Sequence, residues 1–365
     1  MCFSDSSVPI NLIDNSAMNQ EHLGPNALPV LNIAGYQFVR LDELDRLRES
    51  FYQAASDLRL KGTILLSEEG INLFLAGLET NIQSFLSFLR NDPRLASFQT
   101  KDSWSATQPF RKLLIKIKKE IIRMNHPTIA PEKGRAKFIS PKKLKEWLDR
   151  GQDDLGRPVV MIDTRNGFEV EYGTFKNALH FNITKFSEFP QAIEERLPEL
   201  SDKTLVSFCT GGIRCEKSGL YLRERGLEHS YQLDGGILQY FEDIGGDHYV
   251  GDCFVFDERV AVDHQLEPAG YIQCHACRRP LKPVDTERPE YIRGESCHHC
   301  ADETSEADRA RFRERQRQID LAQSRGESHL GDSARHQQRQ HRDAKRSAKA
   351  AQRNAEQKVQ RANSS

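Results

Sequence analysis

One short stretch, SFCTGGIRCEKS at residues 207–218, constrains the fold more than any other part of the sequence. An apolar run leads into Cys209 and a helical pattern begins near Ile213, so the stretch predicts a buried strand that turns sharply into a helix. Gly211 and Gly212 permit the left-handed or close-approach backbone conformations that such a turn needs. Turns of this kind join the strands and crossover helices of parallel sheets, so the sequence predicts an α/β domain around Cys209.

The same turn has the chemistry of an anion-binding loop. Backbone N–H groups at a helix N-terminus attract negative charge, and Arg214 adds a fixed positive charge nearby. Such surroundings lower the pKa of a thiol, so Cys209 is predicted to be the catalytic residue. The alternative is that Cys209 is a small apolar residue at the end of a buried strand. The predicted loop and anion-binding residues are Thr210, Gly211, Gly212, Ile213 and Arg214.

Two other cysteines are predicted to be core residues. Cys215 falls in the first turn of the predicted helix and is expected to face the sheet, and Cys253 lies in the strand-like run CFVFDERVAV. For Cys215 the alternative is a resolving thiol that forms a disulfide with Cys209.

The hydrophobic pattern divides the chain into successive regions. Residues 30–125 show the order strand, helix, strand, strand, helix, strand, which predicts a ferredoxin-like α+β domain, to which we assign RNA binding. Short apolar runs alternate with helical segments over residues 138–248, which predicts an α/β domain with a parallel sheet; Ser140 and Pro141 are expected to begin its first helix. The other regions are a flexible extension over 1–29, a linker over 126–137, a cysteine-rich segment over 249–304 and a basic tail, disordered or helical, over 305–365.

Global charge does not indicate a partner, because 52 Lys and Arg balance 53 Asp and Glu. Residues 111–145 nevertheless contain 12 Lys or Arg and only 2 acidic residues. This basic stripe could neutralise phosphates and steer RNA toward the cysteine loop, or it could be a solvated strand face that keeps the sheet soluble. The RNA-binding candidates within it are Arg111, Lys112, Lys116, Lys118 and Lys119.

The tail is a second basic region, with 15 Lys or Arg against 6 acidic residues over 309–365. Its first arginines fall on more than one helical face, so they are not expected to pack as a stripe against the protein. Non-specific RNA affinity and a disordered tail without function are both consistent with this composition. The arginines concerned are Arg309, Arg311, Arg313, Arg315 and Arg317.

Targeting signals are not expected. The first basic residue is Arg40, so the positive region of a secretory signal is missing, and no apolar run approaches the roughly 18 residues of a membrane span. We therefore predict a soluble cytoplasmic protein with no membrane partner. In that compartment the eight cysteines are expected to be metal ligands or reactive thiols rather than disulfides.

Four of the cysteines have the spacing of a metal site. CHAC at 274–277 and CHHC at 297–300 are separated by 19 residues, and two such knuckles can converge tetrahedrally on zinc. A site with four thiolates has no open position, so a structural role is predicted, with iron or four free cysteines as the alternatives. The neighbouring histidines are expected to be exposed rather than ligands. The predicted ligands are Cys274, Cys277, Cys297 and Cys300.

The motifs around Cys209 resemble those of a rhodanese domain. The loop Cys209 to Arg214 is accompanied by Asp163-Thr164-Arg165 at the end of an earlier strand and by LDGGI at 233–237. The resemblance implies that Cys209 carries a persulfide whose outer sulfur is held by loop N–H groups. Phosphatases of the same fold have a loop one residue longer, so this ring is sized for sulfur. Asp163 and Arg165 match the strand-end pair, in a structural or a substrate-positioning role, and Glu169 could cap or orient Arg165.

Longer stretches resemble the bacterial tRNA uridine hydroxylase family over about residues 30–300. The resemblance implies oxygen-dependent conversion of uridine 34 to 5-hydroxyuridine, with tRNA as partner, molecular oxygen as co-substrate and an unidentified reductant. No G-x-G-x-x-G follows a strand, so no organic cofactor is expected. The stretches that carry the resemblance are GTILLSEEGINLFLAG, FLRNDPR through PFRKLLIKIKKEI, DTRNGFEVEYGTFKNALHFNITKFSEFP, CTGGIRCEKS and GDCFVFDERVAV.

Two other functions are compatible with these residues. A sulfurtransferase that takes sulfur from thiosulfate or a persulfide carrier needs the same cysteine loop, but neither RNA nor oxygen. A non-catalytic module that only binds RNA or a protein would not need the intact loop. Thiocyanate formation from thiosulfate distinguishes the first alternative, and RNA binding without chemistry distinguishes the second.

Overall fold

A computed structural model of the chain describes residues 29–325, which form two layered units and a cysteine-rich segment. Nearly all of the predicted N-terminal extension and the tail beyond Arg325 lie outside the described residues. No helix within residues 29–325 is long and apolar enough to cross a membrane.

The first unit is a five-stranded sheet covered by two helices on one face. Its strands follow the order β4-β1-β3-β2-β5, in which β5 is parallel to β2 and the other pairs are antiparallel. Phe51 of the first helix packs with Phe85 and Leu89 of the second over the apolar face of the sheet. The elements are β1 (Val30–Phe38), α1 (Leu44–Asp57), β2 (Lys61–Ser67), β3 (Gly70–Gly77), α2 (Glu79–Arg90), β4 (Lys101–Ser105) and β5 (Leu113–Ile117).

The predicted βαββαβ order is present, with one strand more than the sequence indicated. The additional strand, β4, reads KDSWS and pairs with β1 at one edge of the sheet. None of its residues is fully buried, so it lacks the apolar run that marks the other strands. The strand that the sequence predicted as the last, β5, instead lies at the opposite edge beside β2.

The second unit contains a parallel four-stranded sheet in the order β6-β10-β9-β7, as predicted for this region. The Ser140 side chain accepts a hydrogen bond from the N–H of Lys143 at 3.3 Å, and Gly151 ends the first helix with φ 71°. The elements are β6 (Phe138–Ile139), α3 (Pro141–Arg150), β7 (Val159–Asp163), α4 (Gly167–Val170), β8 (Gly173–Phe175), α5 (Phe189–Glu194), α6 (Leu197–Leu200), β9 (Thr204–Phe208), α7 (Ile213–Glu224), β10 (Ser230–Leu233) and α8 (Gly236–Ile244).

Short strand pairs and one long helix complete the described chain. The strand β11 (Tyr249–Gly251) pairs with β8, β12 (Cys253–Phe254) with β13 (Ala261–Val262), and β14 (Ile272–Gln273) with β15 (Pro280–Leu281). The helix α9 (Glu306–Ser324) begins the predicted tail.

Three of the five tail arginines hydrogen-bond to residues outside α9, although the five do not form a single packing stripe. Arg309 donates to the carbonyl oxygen of Ala301, Arg313 to Glu295 at 2.7 Å and Arg315 to the carbonyl oxygen of His275 at 2.6 Å. A long guanidinium can reach backbone oxygens from a polar helix face, so the helix docks without an apolar stripe. The remaining two pair with acids on α9 itself, Arg311 with Asp308 and Arg317 with Glu314.

Candidate active site and metal centre

The structure places Cys209 directly after β9, where the chain turns into α7. The thiol is only 2 % exposed, and the N–H of Gly212 donates to its sulfur at 3.1 Å. Gly212 has φ 97°, a left-handed conformation that glycine adopts without strain, and α7 begins at the next residue. The loop therefore directs at least one backbone donor at the sulfur atom.

A second glycine-rich turn holds this loop in place. Gly236, at φ 68°, lies so close that a Cβ atom there would be 2.5 Å from the carbonyl oxygen of Cys209 and 2.8 Å from the nitrogen of Gly212. The N–H groups of Ile237 and Leu238 donate to the carbonyl oxygens of Cys209 and the next residue at 3.0 and 3.1 Å. The LDGGI motif thus holds the Cys209 loop in position through close backbone contacts and hydrogen bonds.

Arg214 is fixed by a buried ion pair. Its guanidinium donates to the Glu169 carboxylate at 2.9 and 3.1 Å, and both side chains are buried. Glu169 also accepts from the N–H of Asn166, which caps α4. The expectation that Glu169 orients Arg165 is wrong, because Arg165 has other partners and Arg214 takes the carboxylate.

Asp163 and Arg165 form a fully buried pair that does not line the cavity containing Cys209. The Arg165 guanidinium donates to Asp163 at 2.6 and 2.9 Å and to the carbonyl oxygen of Gly173 at 2.6 Å. Asp163 accepts a further hydrogen bond from Thr174 at 2.7 Å. These contacts tie the end of β7 to β8, so the geometry favours the structural role over substrate positioning.

The two cysteines of the loop have opposite electrostatic surroundings. Burial alone would raise the pKa of Cys209, but hydrogen bonding with Cys215, the positive charge of Arg214 and two backbone N–H groups together lower that pKa below the usual thiol value. For Cys215, burial and the neighbouring Cys209 raise the pKa well above the usual value. Cys215 is fully buried, with its sulfur 3.9 Å from the hydroxyl of Thr164. Of the two cysteines, Cys209 therefore has the surroundings that favour the thiolate.

Cys209 lies at a cavity of about 1010 Å³ between the two units. The helix-free face of the first sheet supplies Tyr36 and Phe74, and the segment after β12 supplies Phe256. The Tyr36 hydroxyl donates to Glu216 of α7 at 3.4 Å, so this side chain reaches across the boundary between the units. Neither Tyr36 nor Phe256 was singled out from the sequence, because each lies in an apolar run that predicts only a strand.

A buried charge cluster joins the units beside the cysteine loop. Lys217 of α7 donates to Glu69 at 2.8 and 3.0 Å and to Glu120 at 2.6 Å, and it is almost fully buried. Burial raises the pKa of Glu69 despite this ammonium group. For Glu120, burial opposes ionisation, but the hydrogen bond and positive charge of Lys217 and the N–H groups of Met124 and Asn125 together outweigh it, so the pKa is lowered. The cluster fixes the first sheet against α7. That these three residues contact one another was not predicted from the sequence.

The predicted RNA-binding residues lie outside the Cys209 cavity, along the edge strand β5 and its flanks. Arg111 forms an ion pair with Glu258, Lys112 is half-buried, and the other three lysines are exposed. Lys116 pairs in register with Leu65, which lines the cavity, so it projects from the same face of the sheet. Lys116 is therefore the predicted residue best placed to contact a ligand that extends from the cavity.

The four predicted metal ligands come together. The sulfur atoms of Cys274, Cys277, Cys297 and Cys300 all lie within 4.8 Å of one another. Two of the separations, Cys277 to Cys297 and Cys297 to Cys300, are 3.7 and 3.8 Å. Tetrahedral zinc with zinc–sulfur bonds of about 2.3 Å requires sulfur atoms about 3.8 Å apart, so the cluster fits such an ion. Three of the cysteines are buried, and no histidine of the described chain joins the group.

A parallel α/β sheet whose strand-to-helix turn presents a low-pKa cysteine defines a rhodanese-type domain, here facing an α+β partner. A family described as UPF0176 acylphosphatase like domain matches residues 30–121, and the rhodanese-like domain family matches residues 140–243. A Saccharomyces cerevisiae homolog of single-domain rhodanese and Cdc25 phosphatase catalytic domain is 22% identical, with a TM-score of 0.26, over 32% of this chain and 87% of that one. This structural similarity is too low to support the assignment of a rhodanese-type domain, which rests on the family matches.

Relatives that match over almost their whole length identify the family more closely than the two domain matches do. A tRNA uridine(34) hydroxylase of Cupriavidus pinatubonensis is 54% identical over 273 residues, which cover 75% of this chain and 97% of the relative. One of Burkholderia orbicola is 50% identical over 284 residues, which cover 77% of this chain and 100% of the relative. The chain belongs to the tRNA uridine(34) hydroxylase family.

Proposed function

We propose that this protein hydroxylates uridine 34 of tRNA at C5, giving 5-hydroxyuridine, with molecular oxygen as co-substrate. The observation that carries the proposal is Cys209, which accepts a hydrogen bond from the N–H of Gly212 at 3.1 Å and lies at a cavity between two units. The chain is also 54% identical to a named tRNA uridine(34) hydroxylase over 97% of that relative's length. An anticodon base can reach this cysteine only when it is turned out of its stack, and the cavity is large enough for one nucleotide.

Cys209 acts as the nucleophile, either as the thiolate or as a persulfide carried on its sulfur. Its sulfur adds to C6 of the uracil, the C5–C6 double bond is lost, and the electron pair moves toward C5 and the adjacent carbonyl oxygen. C5 then becomes electron-rich at the position where oxygen has to arrive. Arg214 and the N–H of Gly212 stabilise the negative charge of the sulfur before it attacks and after it leaves.

Oxygen delivery needs a second reactant. When one atom of dioxygen becomes the hydroxyl group at C5, the other leaves as water, so a donor must supply two electrons. The described residues that line the cavity include one cysteine, Cys209. We therefore propose an external reductant, for which a low-molecular-weight thiol has suitable chemistry.

The remaining parts of the chain have supporting roles. Lys116 of β5 and the exposed Lys118 and Lys119 that follow the strand contact the phosphate groups of the anticodon arm. The four cysteines bind structural zinc, which leaves no position for water and so takes no part in the chemistry. A tRNA substrate is consistent with a cytoplasmic location.

Labelled oxygen tests the proposal. Purified protein is incubated with unmodified tRNA, a thiol reductant and isotopically labelled dioxygen, and the nucleosides are analysed by mass spectrometry. The expected product is 5-hydroxyuridine that carries one labelled oxygen atom, formed by wild type and not by Cys209→Ala. Cys253→Ala serves as the matched control, because Cys253 is equally buried but does not line the cavity. In a parallel assay with thiosulfate and cyanide, transfer of the outer sulfur to cyanide, which gives thiocyanate and sulfite, without any change in the tRNA would instead indicate a sulfurtransferase.

A further inference from the structure

Phe256 is an aromatic side chain that takes no part in the reaction steps proposed above. Its ring is 47 % exposed although it lines the same cavity as Cys209. Its buried part packs against the rings of Phe254 and Phe74, with centroids 4.9 and 6.3 Å away. The exposed part adds little to the stability of the fold, because burial of apolar surface is what stabilises folded proteins. We propose that Phe256 is the platform on which the uracil ring of the target nucleotide stacks.

The turn that presents Phe256 is rigid. The N–H of Val255 donates to the carbonyl oxygen of Val260 at 3.0 Å, which closes the turn. Within it, Arg259 donates to both carboxylate oxygens of Asp257, at 2.6 to 3.1 Å, and its remaining nitrogen donates to Ser103 of β4 at 2.8 Å. The platform is therefore attached to both units, and little ordering is needed when a base binds.

The ring is also supported from its side and joined to the cysteine loop. The Phe254 ring meets it edge to face, with centroids 4.9 Å apart at 88°, which fixes its tilt. The Arg214 guanidinium carbon lies over the ring at 5.9 Å from the centroid. Phe256, Arg214 and Cys209 all line the same cavity, so a base stacked on the Phe256 ring shares that cavity with the reacting sulfur. Stacking on an aromatic ring suits this task, because it holds a base by its face and leaves its edge atoms free to react.

This inference rests on the proposed function, because it assumes an RNA base in the cavity. The test is a double-mutant cycle between the ring and the base. Two anticodon stem–loops, one with uridine at position 34 and one abasic there, are titrated against wild type and Phe256→Ala, and binding is measured by fluorescence anisotropy. Phe256→Trp retains a stacking surface and Phe256→Leu retains only apolar character. Tyr52→Ala is the matched control, since Tyr52 is 48 % exposed but lies on α1, away from the cavity.

Phe256→Ala should weaken binding of the uridine stem–loop by roughly tenfold and leave the abasic one unchanged. Phe256→Trp should bind like wild type, and Phe256→Leu like Phe256→Ala. Equal losses for both RNAs, or no loss for either, would overturn the stacking role. An unchanged rate of Cys209 alkylation in each variant shows that the loop is intact.

The hydroxylation assay separates the two claims. If wild type forms 5-hydroxyuridine while Phe256→Ala affects the uridine and abasic stem–loops equally, Phe256 is not the stacking platform, and the proposed function stands. If wild type neither modifies tRNA nor distinguishes the two stem–loops, both fall together.

Discussion

Replacing Gly236 with alanine should disrupt the cysteine loop without altering any of its residues. The new Cβ would stand 2.5 Å from the carbonyl oxygen of Cys209 and 2.8 Å from the nitrogen of Gly212. Carbon atoms need about 3.5 Å or more from such neighbours, so the loop must move by up to about 1 Å. Gly151→Ala is the matched control: it has a similar φ of 71°, but nothing lies within 4 Å of its added Cβ.

The expected magnitudes follow from these contacts. Alanine in the left-handed region costs about 1–2 kcal/mol, offset in part by the lower entropy of its unfolded chain, so Gly151→Ala should lose about 1 kcal/mol. Gly236→Ala adds overpacking of about 1–3 kcal/mol, giving a total loss of roughly 2–4 kcal/mol. The displaced N–H of Gly212 also weakens its hydrogen bond to the thiolate, which raises the pKa of Cys209. A hydrogen bond to a charged group is worth about 1.5–3 kcal/mol, so the rise is about one pH unit or more.

Two assays measure these effects. Urea titration gives the free energy of unfolding, and the pH dependence of iodoacetamide alkylation reports the ionisation of Cys209. Wild type should alkylate at a lower pH than an ordinary thiol, Gly236→Ala at a higher pH than wild type, and Gly151→Ala like wild type. If Gly236→Ala and Gly151→Ala lost equal stability and kept the wild-type alkylation profile, the claim that close backbone contact shapes the loop would be refuted.

Three further perturbations have defined outcomes. Glu169→Gln leaves the buried charge of Arg214 without its ion partner and should lower the free energy of unfolding by roughly 2–4 kcal/mol in urea titrations; an unchanged value would contradict the buried pair. Lys217→Met leaves Glu69 and Glu120 unpaired, which raises their pKa values in the folded state of the variant, so its loss of stability should be largest at neutral pH and shrink as the carboxylates protonate between about pH 6 and 4. A loss that is independent of pH would argue against the charge cluster. Metal removal by a chelator should expose the cysteine-rich segment and α9 to limited proteolysis, and an unchanged cleavage pattern would count against a structural metal.

Local patterns in the sequence were sufficient for local structure. The cap residues Ser140 and Pro141 predict the start of α3, and the glycines of the loop predict the turn after β9. The CxxC pairs predict a cluster because each pair brings two sulfur atoms together within one short turn. In each case the signal and the structure span only a few residues.

Long-range contacts were not predictable in the same way. Glu69 and Lys217 are 148 residues apart, and no sequence pattern near either residue indicates that the two form an ion pair. The strand β4 was missed because its side chains alternate between exposed and half-buried positions. Phe256 could be placed only when the structure brought its turn to the cysteine cavity. The sequence therefore indicates the reactive group, whereas the residues that surround its substrate depend on how the two units pack.

Nucleoside mass spectrometry of tRNA from cells that lack this protein shows whether Cys209 is required for hydroxylation of uridine 34. The cells are complemented with wild type, Cys209→Ala or the control Cys253→Ala, and protein levels are matched by immunoblot. We expect 5-hydroxyuridine and its derivatives to disappear in the deletion strain and to return with wild type and Cys253→Ala, but not with Cys209→Ala. Unchanged tRNA in the deletion strain, or full restoration by Cys209→Ala, would contradict the proposed role of Cys209.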